Sequence, residues 1–257
     1  MGLRDLPSMA KELGRKALRK SALMKKLDSF GIPSSQSAAL SERAGSEFAR
    51  LFYGHKGRRA HKWIHYLDIY DEYFGKYRNT PVKLLEIGVA MGGSLELWRK
   101  YFGPQATIFG IDVVPACANY VTPPNQVRIG SQADRKFLLS VVDELGAPDL
   151  VVDDGSHVGR HQRISFETLF PLLREGGLYV IEDLHASYLP GAYRGGHRRR
   201  GTGIEFIKEM IDDMHAWYHG KSTKTPARDW IPAIHIYDSV AVIEKRRIER
   251  PSHIMVG

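Results

Sequence analysis

Two short apolar runs each end on a pair of adjacent carboxylates. One reads Asp149-Leu-Val-Val-Asp-Asp-Gly-Ser-His157, the other Tyr179-Val-Ile-Glu-Asp-Leu-His185. Apolar runs of this length bounded by Gly or Pro have the pattern of buried parallel strands. In open α/β sheets ligands bind beyond the carboxyl ends of the strands, so Asp153, Asp154, His157, Glu182 and Asp183 fall where a ligand should sit. Clustered hard oxygen donors favour a magnesium-type ion, and an imidazole beside them can act as a base. Each residue also has a plainer use. Asp153 or Asp154 could cap the helix that follows, Glu182-Asp183 could be a solvated loop, and His157 could be structural.

The elements that must position these groups are regular from residue 82 onward. Strand-like runs cover Lys83–Ile87, Thr107–Val113, Val127–Ile129, Asp149–Asp153 and Gly177–Ile181. Helical patterns fall between them at 93–102, 134–145 and 158–174. Alternating strands and helices build βαβ units on a parallel sheet. Ala233–Tyr237 and Val240–Lys245, separated by Asp238-Ser239, predict a terminal hairpin that makes the sheet mixed. Upstream, a basic and imperfectly amphipathic helix is expected over 8–28, a linker at Pro33-Ser-Ser-Gln-Ser, a helix at about 41–52 and another ending near Tyr77. The organisation is therefore a basic extension and linker (1–40), a helical segment (41–80) and an α/β domain (81–257); the family resemblance given below implies that the second covers a cofactor site and that the third is catalytic. The 190–203 stretch, rich in Gly, Arg and His, is expected to be a surface loop.

The first three strands also end on residues with chemistry to offer. The first runs into Glu86-Ile-Gly-Val-Ala-Met-Gly-Gly-Ser94, where Gly88, Gly92 and Gly93 permit a tight turn close to a ligand. The spacing is not GxGxxG, so the dinucleotide fingerprint is not met and a nucleoside cofactor without a diphosphate fits better. The second strand ends at Asp112, where a carboxylate can accept from both ribose hydroxyls. The third is followed by Gly130-Ser-Gln-Ala-Asp134, polar groups where an adenine edge would lie.

Composition sets bounds. The 257 residues are 43% hydrophobic, enough for one sizeable α/β domain with an appendage. A lone cysteine, Cys117, rules out an intrachain disulfide and a cysteine-based zinc site, and a cytoplasmic setting is expected. No apolar stretch reaches the length of a membrane span, and the N-terminus lacks an uninterrupted apolar core of the secretory type. The formal charge of +8 is uneven: residues 1–30 hold eight Lys/Arg against three acids, and Arg194, Arg198, Arg199 and Arg200 form a second cluster. Such charge is compatible with anionic lipids, lipid-linked substrates or nucleic acid, and proves none of them.

Glu86 with its glycines, then Asp112, then Gln132, each at the end of a successive strand, resemble the class I S-adenosylmethionine-dependent methyltransferases. Asp154-x-x-His157 followed by Glu182-Asp183 narrows the resemblance to the metal-dependent macrolide-sugar O-methyltransferases. The similarity covers most of residues 50–245 and includes Gly54-His-Lys and His61-Lys-Trp-Ile-His-Tyr66, although His55 replaces that family's Asp. The resemblance implies a Rossmann-like, seven-stranded, mostly parallel sheet with a C-terminal antiparallel hairpin. It implies Mg²⁺ on Asp154, Glu182 and Asp183, His157 as general base, and S-adenosylmethionine lined by Glu86, Gly88, Gly92, Ser94, Asp112, Gln132 and Asp153. The acceptor would be a sugar hydroxyl of a glycosylated natural product, glycolipid or polysaccharide, and a homo-oligomer is expected.

Three alternatives compete: a nucleic-acid methyltransferase, a catechol-type O-methyltransferase, and an inactive binding protein on the same fold. Against the first, the fourth strand ends in Asp-Asp-Gly-Ser-His, not the Asn/Asp-Pro-Pro-aromatic motif of amino-methylating enzymes. His161, His185 and His197 read as structural or solvated, and Trp217 and Trp230 as packing or pocket-wall residues.

Overall fold

The computed structural model describes residues 26–257. The helix expected over 8–28 lies almost wholly outside them.

Among the described residues one seven-stranded sheet has the order β3-β2-β1-β4-β5-β7-β6. Its strands are β1 (Lys83–Ile87), β2 (Thr107–Asp112), β3 (Gln126–Ile129), β4 (Leu150–Asp153), β5 (Leu178–Ile181), β6 (Ile234–Tyr237) and β7 (Val240–Glu244). The first five are parallel, and β7 pairs antiparallel with both β5 and β6. The register aligns Ile87 with Ile111 and with Asp153, and Asp153 with Ile181. The carboxyl ends of β1, β2, β4 and β5 therefore form one rim. Leu84, Leu85, Leu150, Val151, Val152, Tyr179 and Ile181 are buried because helices cover both sheet faces, which is why these strands read as unbroken apolar runs.

On one face pack α2 (Glu47–Tyr53), α3 (Ile64–Phe74) and α4 (Gly93–Phe102), with Phe48, Tyr66, Tyr70, Phe74, Trp98 and Phe102 forming an aromatic core. On the other pack α5 (Arg135–Leu145), α6 (Gly159–Leu169) and α7 (Gly203–Met214) around Phe166, Phe206, Met210 and Tyr179.

Local chemistry explains where elements depart from expectation. The helix expected at 41–52 is two: α1 (Ser37–Glu42) stops before Gly45, and Ser46 starts α2 by accepting from Ala49 N. The helix expected at 158–174 ends at Leu169, because Pro171 has no amide to continue the ladder, and a short 3-10 turn follows. Helix α7 had no counterpart in the sequence reading; Thr202 caps it by accepting from Glu205 N. Two one-turn helices, α8 (Ala216–His219) and α9 (Ala227–Trp230), lead to the hairpin. Among the described residues no helix is long and apolar enough to cross a membrane.

Candidate functional site

A cavity of about 440 Å³ opens at the carboxyl rim of the sheet. Its walls come from the turn after β1 (Gly88–Met91), Asp112, the loop after β4 (Asp154, Gly155, His157), the end of β5 (Glu182, Asp183) and the segment Arg59–Trp63 that crosses above. Ala90, His157 and Asp183 hold left-handed backbone, with φ of 47°, 53° and 54°. Non-glycine residues are strained there, and such strain concentrates where a side chain must be aimed.

The cofactor half is built around Asp112. Its Oδ2 accepts from Val89 N (3.0 Å) and Ala90 N (3.1 Å), and its Oδ1 from Val114 N (2.9 Å). Burial pushes this carboxyl up, but the amides of Val114, Ala90 and Val89 outweigh it and hold it below the usual range. Gly88 is obligatory beside it: φ is +98°, and a Cβ would meet Asp154 O at 2.2 Å. Ser94 lines the cavity and donates to Glu86 Oε2 at 2.7 Å, while Trp98 Nε1 donates to Glu86 Oε1 at 3.2 Å. Glu86 itself is fully buried, and burial raises its carboxyl to about 7 against the opposing pull of Lys62.

Asp153 and Gln132 are placed one layer beneath the cavity and do not line it. Asp153 is fully buried and accepts from Gln132 Nε2 (2.9 Å), Ser165 Oγ (2.5 Å) and Tyr179 OH (3.1 Å). Gln132 Oε1 in turn accepts from Ser156 N at 2.7 Å. The arrangement pins the loop that carries Asp154 and His157. Asp153 and Asp154 thus separate, one into the core behind the sheet and the other into the cavity, as consecutive residues at a strand end do.

The acidic half brings together Asp154, His157 and Asp183, which offer ligand atoms all within 4.8 Å of one another. His157 Nε2 lies 3.9 Å from Asp154 Oδ1 and 3.7 Å from Asp183 Oδ2. His157 Nδ1 is buried without a hydrogen-bond partner. Asp183 is steadied by the Tyr66 hydroxyl, which sits 3.1 Å from Asp183 Oδ1 and 2.9 Å from Ser239 O.

Glu182 is not in that group. Both of its oxygens face Lys62 Nζ, at 2.9 and 2.8 Å, and the same ammonium donates to Asp154 Oδ2 at 2.6 Å. Lys62 is 3% and Glu182 1% exposed. Burial drives the Lys62 ammonium down, but Asp154 and Glu182 outweigh it and hold it well above its usual range, so it stays charged. Sequence reading missed Lys62 as a site residue; its one signal was a lysine set between His61 and the aromatic run Trp63–Tyr66.

The remaining candidates have other partners. His185 Nδ1 contacts Ser239 Oγ at 2.5 Å and its ring packs edge-on to Trp63, while His161 Nδ1 contacts Ser156 Oγ at 2.9 Å. Trp230 packs on the α7 side of the core, and Trp217 lies under Arg228 away from the cavity.

The described residues thus present a rim cavity with a strand-end carboxylate on one side and a carboxylate–imidazole group on the other. No protein-family model matches the chain. It is 38% identical over 226 residues to the 8-demethyl-8-(2-methoxy-alpha-L-rhamnosyl)-tetracenomycin-C 3'-O-methyltransferase of Streptomyces olivaceus, covering 81% of this chain and 56% of the relative. It is 38% identical over 199 residues to the mycinamicin VI 2''-O-methyltransferase of Micromonospora griseorubida, covering 69% and 47%. Among solved structures it superposes on the MycE methyltransferase of the mycinamycin pathway in complex with Mg, SAH and mycinamycin VI, with a TM-score of 0.68, 34% identity, 79% of this chain and 53% of that chain. The chain spans about half the length of the curated relatives it matches. Over most of its own length the chain is similar in sequence and in fold to these sugar O-methyltransferases, and it carries the class I methyltransferase fold.

Proposed function

We propose that the chain transfers a methyl group from S-adenosylmethionine to a sugar hydroxyl of a glycosylated natural product, glycolipid or polysaccharide. The observation that carries this reading is the juxtaposition of Asp112 and the Gly88–Met91 turn with the Asp154–His157–Asp183 group across one cavity. In the proposed binding mode S-adenosylmethionine lies on the turn with its ribose at Asp112, which lines the cavity. Ser94 and Gly88 line the same wall, Gly92 starts helix α4 behind it, Glu86 supports it through Ser94, and Gln132 and Asp153 hold the neighbouring loop that carries Asp154.

The donor set suits a hard divalent cation. Asp154, Glu182 and Asp183 with one ammonium, Lys62, leave two formal negative charges uncompensated; these carboxylates would hold the ion, and His157 beside them keeps Nε2 free to act as a base. When bound, such an ion lowers the pKa of a hydroxyl placed against it. His157 Nε2 then takes the hydroxyl proton, the oxygen attacks the sulfonium methyl in line, and the S–CH₃ bond breaks to leave S-adenosylhomocysteine. Asp183, fixed by Tyr66, and Asp154 keep the imidazole facing the acceptor.

The test is labelled methyl transfer to free, lipid-linked and natural-product glycosides beside their aglycones. Label on glycosides and none on aglycones is expected; label on catechols or RNA instead would replace the reading. The cofactor half has its own check. Asp112→Ala removes the acceptor of three amides as well as the ribose contact, so S-adenosylhomocysteine affinity by calorimetry should fall at least about tenfold. Unaltered affinity would remove Asp112 from the cofactor site. A cytoplasmic, oligomeric enzyme whose basic N-terminal residues meet a lipid-linked acceptor completes the proposal, with the charge of residues 1–30 as its support.

A further inference from the structure

We infer that the acceptor carries a phosphate or diphosphate ester on the sugar to be methylated, and that arginines beside the cavity mouth hold that ester. This rests on the proposed function and narrows its acceptor to an anionic glycoside.

The segment from Leu184 to Thr202 leaves the end of β5 directly after Asp183 and holds four arginines, two histidines and no acid. Its backbone is well tied. Gly195 N and Gly196 N donate to Leu189 O and Ser187 O at 2.7 and 2.8 Å, and Thr202 Oγ1 donates to Arg199 O at 3.0 Å. Tyr193 sets its place beside the cavity: the ring centroids of Tyr193 and His157 are 6.2 Å apart, and Arg194 is the next residue. Arg160, in the first turn of α6, comes from the other side. His161 lies near both, and its imidazole is held below the usual range by burial first and then by the charges of Arg194 and Arg160. The far end of the segment closes on the same helix start, since a Cβ on Gly159 would meet Gly201 O at 2.4 Å.

Pairing separates these arginines from others in the fold. Arg163 is engaged by Glu167 and Glu209, Arg128 by Glu144 and Arg135 by Glu167. Arg160, Arg194, Arg198 and Arg200 are exposed and meet no carboxylate among the described residues, and Arg199 reaches Gly195 O at 3.4 Å. Guanidinium groups left unpaired on tied backbone suit a phosphate, whose oxygens accept two N–H groups at once. The N-terminus of α6 has no side-chain cap, and its positive end lies at Arg160. A phosphate on the anomeric oxygen lies across one sugar ring from the reacting hydroxyl, so it reaches this rim while the hydroxyl stays at His157. A neutral glycoside would use none of this charge.

The test offers the whole chain one responsive sugar in three forms: methyl glycoside, nucleoside diphosphate glycoside and short-chain polyprenyl diphosphate glycoside, with Mg²⁺ in excess. At low salt kcat/KM for a diphosphate form should exceed that for the methyl glycoside at least about tenfold, and added salt should narrow the gap. A preference between the two diphosphates names the source of the phosphate. Arg160→Gln with Arg194→Gln should close the gap to within about threefold, through KM, and the corresponding Lys pair, which keeps charge but loses the fork, should fall between. Inorganic pyrophosphate, titrated calorimetrically without metal, should bind the unmodified chain and lose at least about tenfold in affinity in the Gln pair. Thermal melts and S-adenosylhomocysteine binding report folding; Arg198→Gln with Arg200→Gln replaces the first pair if it does not fold. Methyl glycosides used as well as the diphosphates leave the proposed function standing and overturn this inference. So does a gap unchanged in the Gln pair, an absence of pyrophosphate binding, or a short RNA that displaces pyrophosphate where the diphosphate glycosides do not. If no sugar is labelled in any form, the proposed function fails and takes this inference with it.

Discussion

His157→Ala should lower methyl transfer by roughly 10²–10⁴-fold, the usual contribution of a general base, while S-adenosylhomocysteine affinity changes little. A sugar hydroxyl is a weak nucleophile because its proton is held far above neutral pH, and His157 is the imidazole in the cavity whose free nitrogen faces the two carboxylates proposed to flank the acceptor. The left-handed backbone at His157 is a cost accepted to aim that ring, and Ala relieves little of it, so the fold should persist. Single-turnover rate and calorimetric affinity, measured on the same preparation, separate the two effects. Unchanged turnover would strip His157 of the role, and equal losses of turnover and cofactor affinity would make it a structural residue.

The largest stability effect is expected at a residue that does not line the cavity. Asp153→Ala leaves Gln132 Nε2, Ser165 Oγ and Tyr179 OH without their shared acceptor in a fully buried place. An unsatisfied buried donor costs about 1–3 kcal/mol, and Ser165 alone has a ready substitute in the carbonyls of His161 and Gln162. A net loss of about 3–5 kcal/mol follows, or roughly 10 °C in melting temperature for a chain of this size. Calorimetric melting checks it. A shift of less than about 2 °C would mean the network reorganises around the vacancy and that the loop bearing Asp154 and His157 is held some other way.

The parallel strands were legible because both sheet faces are covered: Leu84–Ile87 and Leu150–Val152 have nowhere polar to point, so the sequence shows plain apolar runs. The hairpin was legible from Asp238-Ser239 between two β-branched segments, and the rim from the carboxylates at the strand ends. What was hidden depended on distant pairing. Lys62 meets Asp154 and Glu182 across 92 and 120 residues of chain, and nothing local distinguishes it from a solvated lysine on a helix approach. Asp153 and Asp154 are identical in type and adjacent, so their separation into core and cavity came only from the direction each side chain takes at the end of β4. Gln132 was read as a cofactor contact because of where β3 ends; the adjoining loop instead turns its side chain inward onto Asp153 and Ser156. Helix α7 escaped notice because it follows an Arg- and Gly-rich stretch whose composition signals a loop.

The proposed reaction is methylation of a sugar hydroxyl in this cavity with a divalent ion beside the acceptor. Its most direct test is labelled methyl transfer from S-adenosylmethionine to a responsive glycoside by the metal-stripped chain, with chelator and then with Mg²⁺ restored. The account predicts no label above background in chelator and recovery of transfer on adding Mg²⁺ in excess. Full transfer in chelator by protein shown to be metal-free would contradict it.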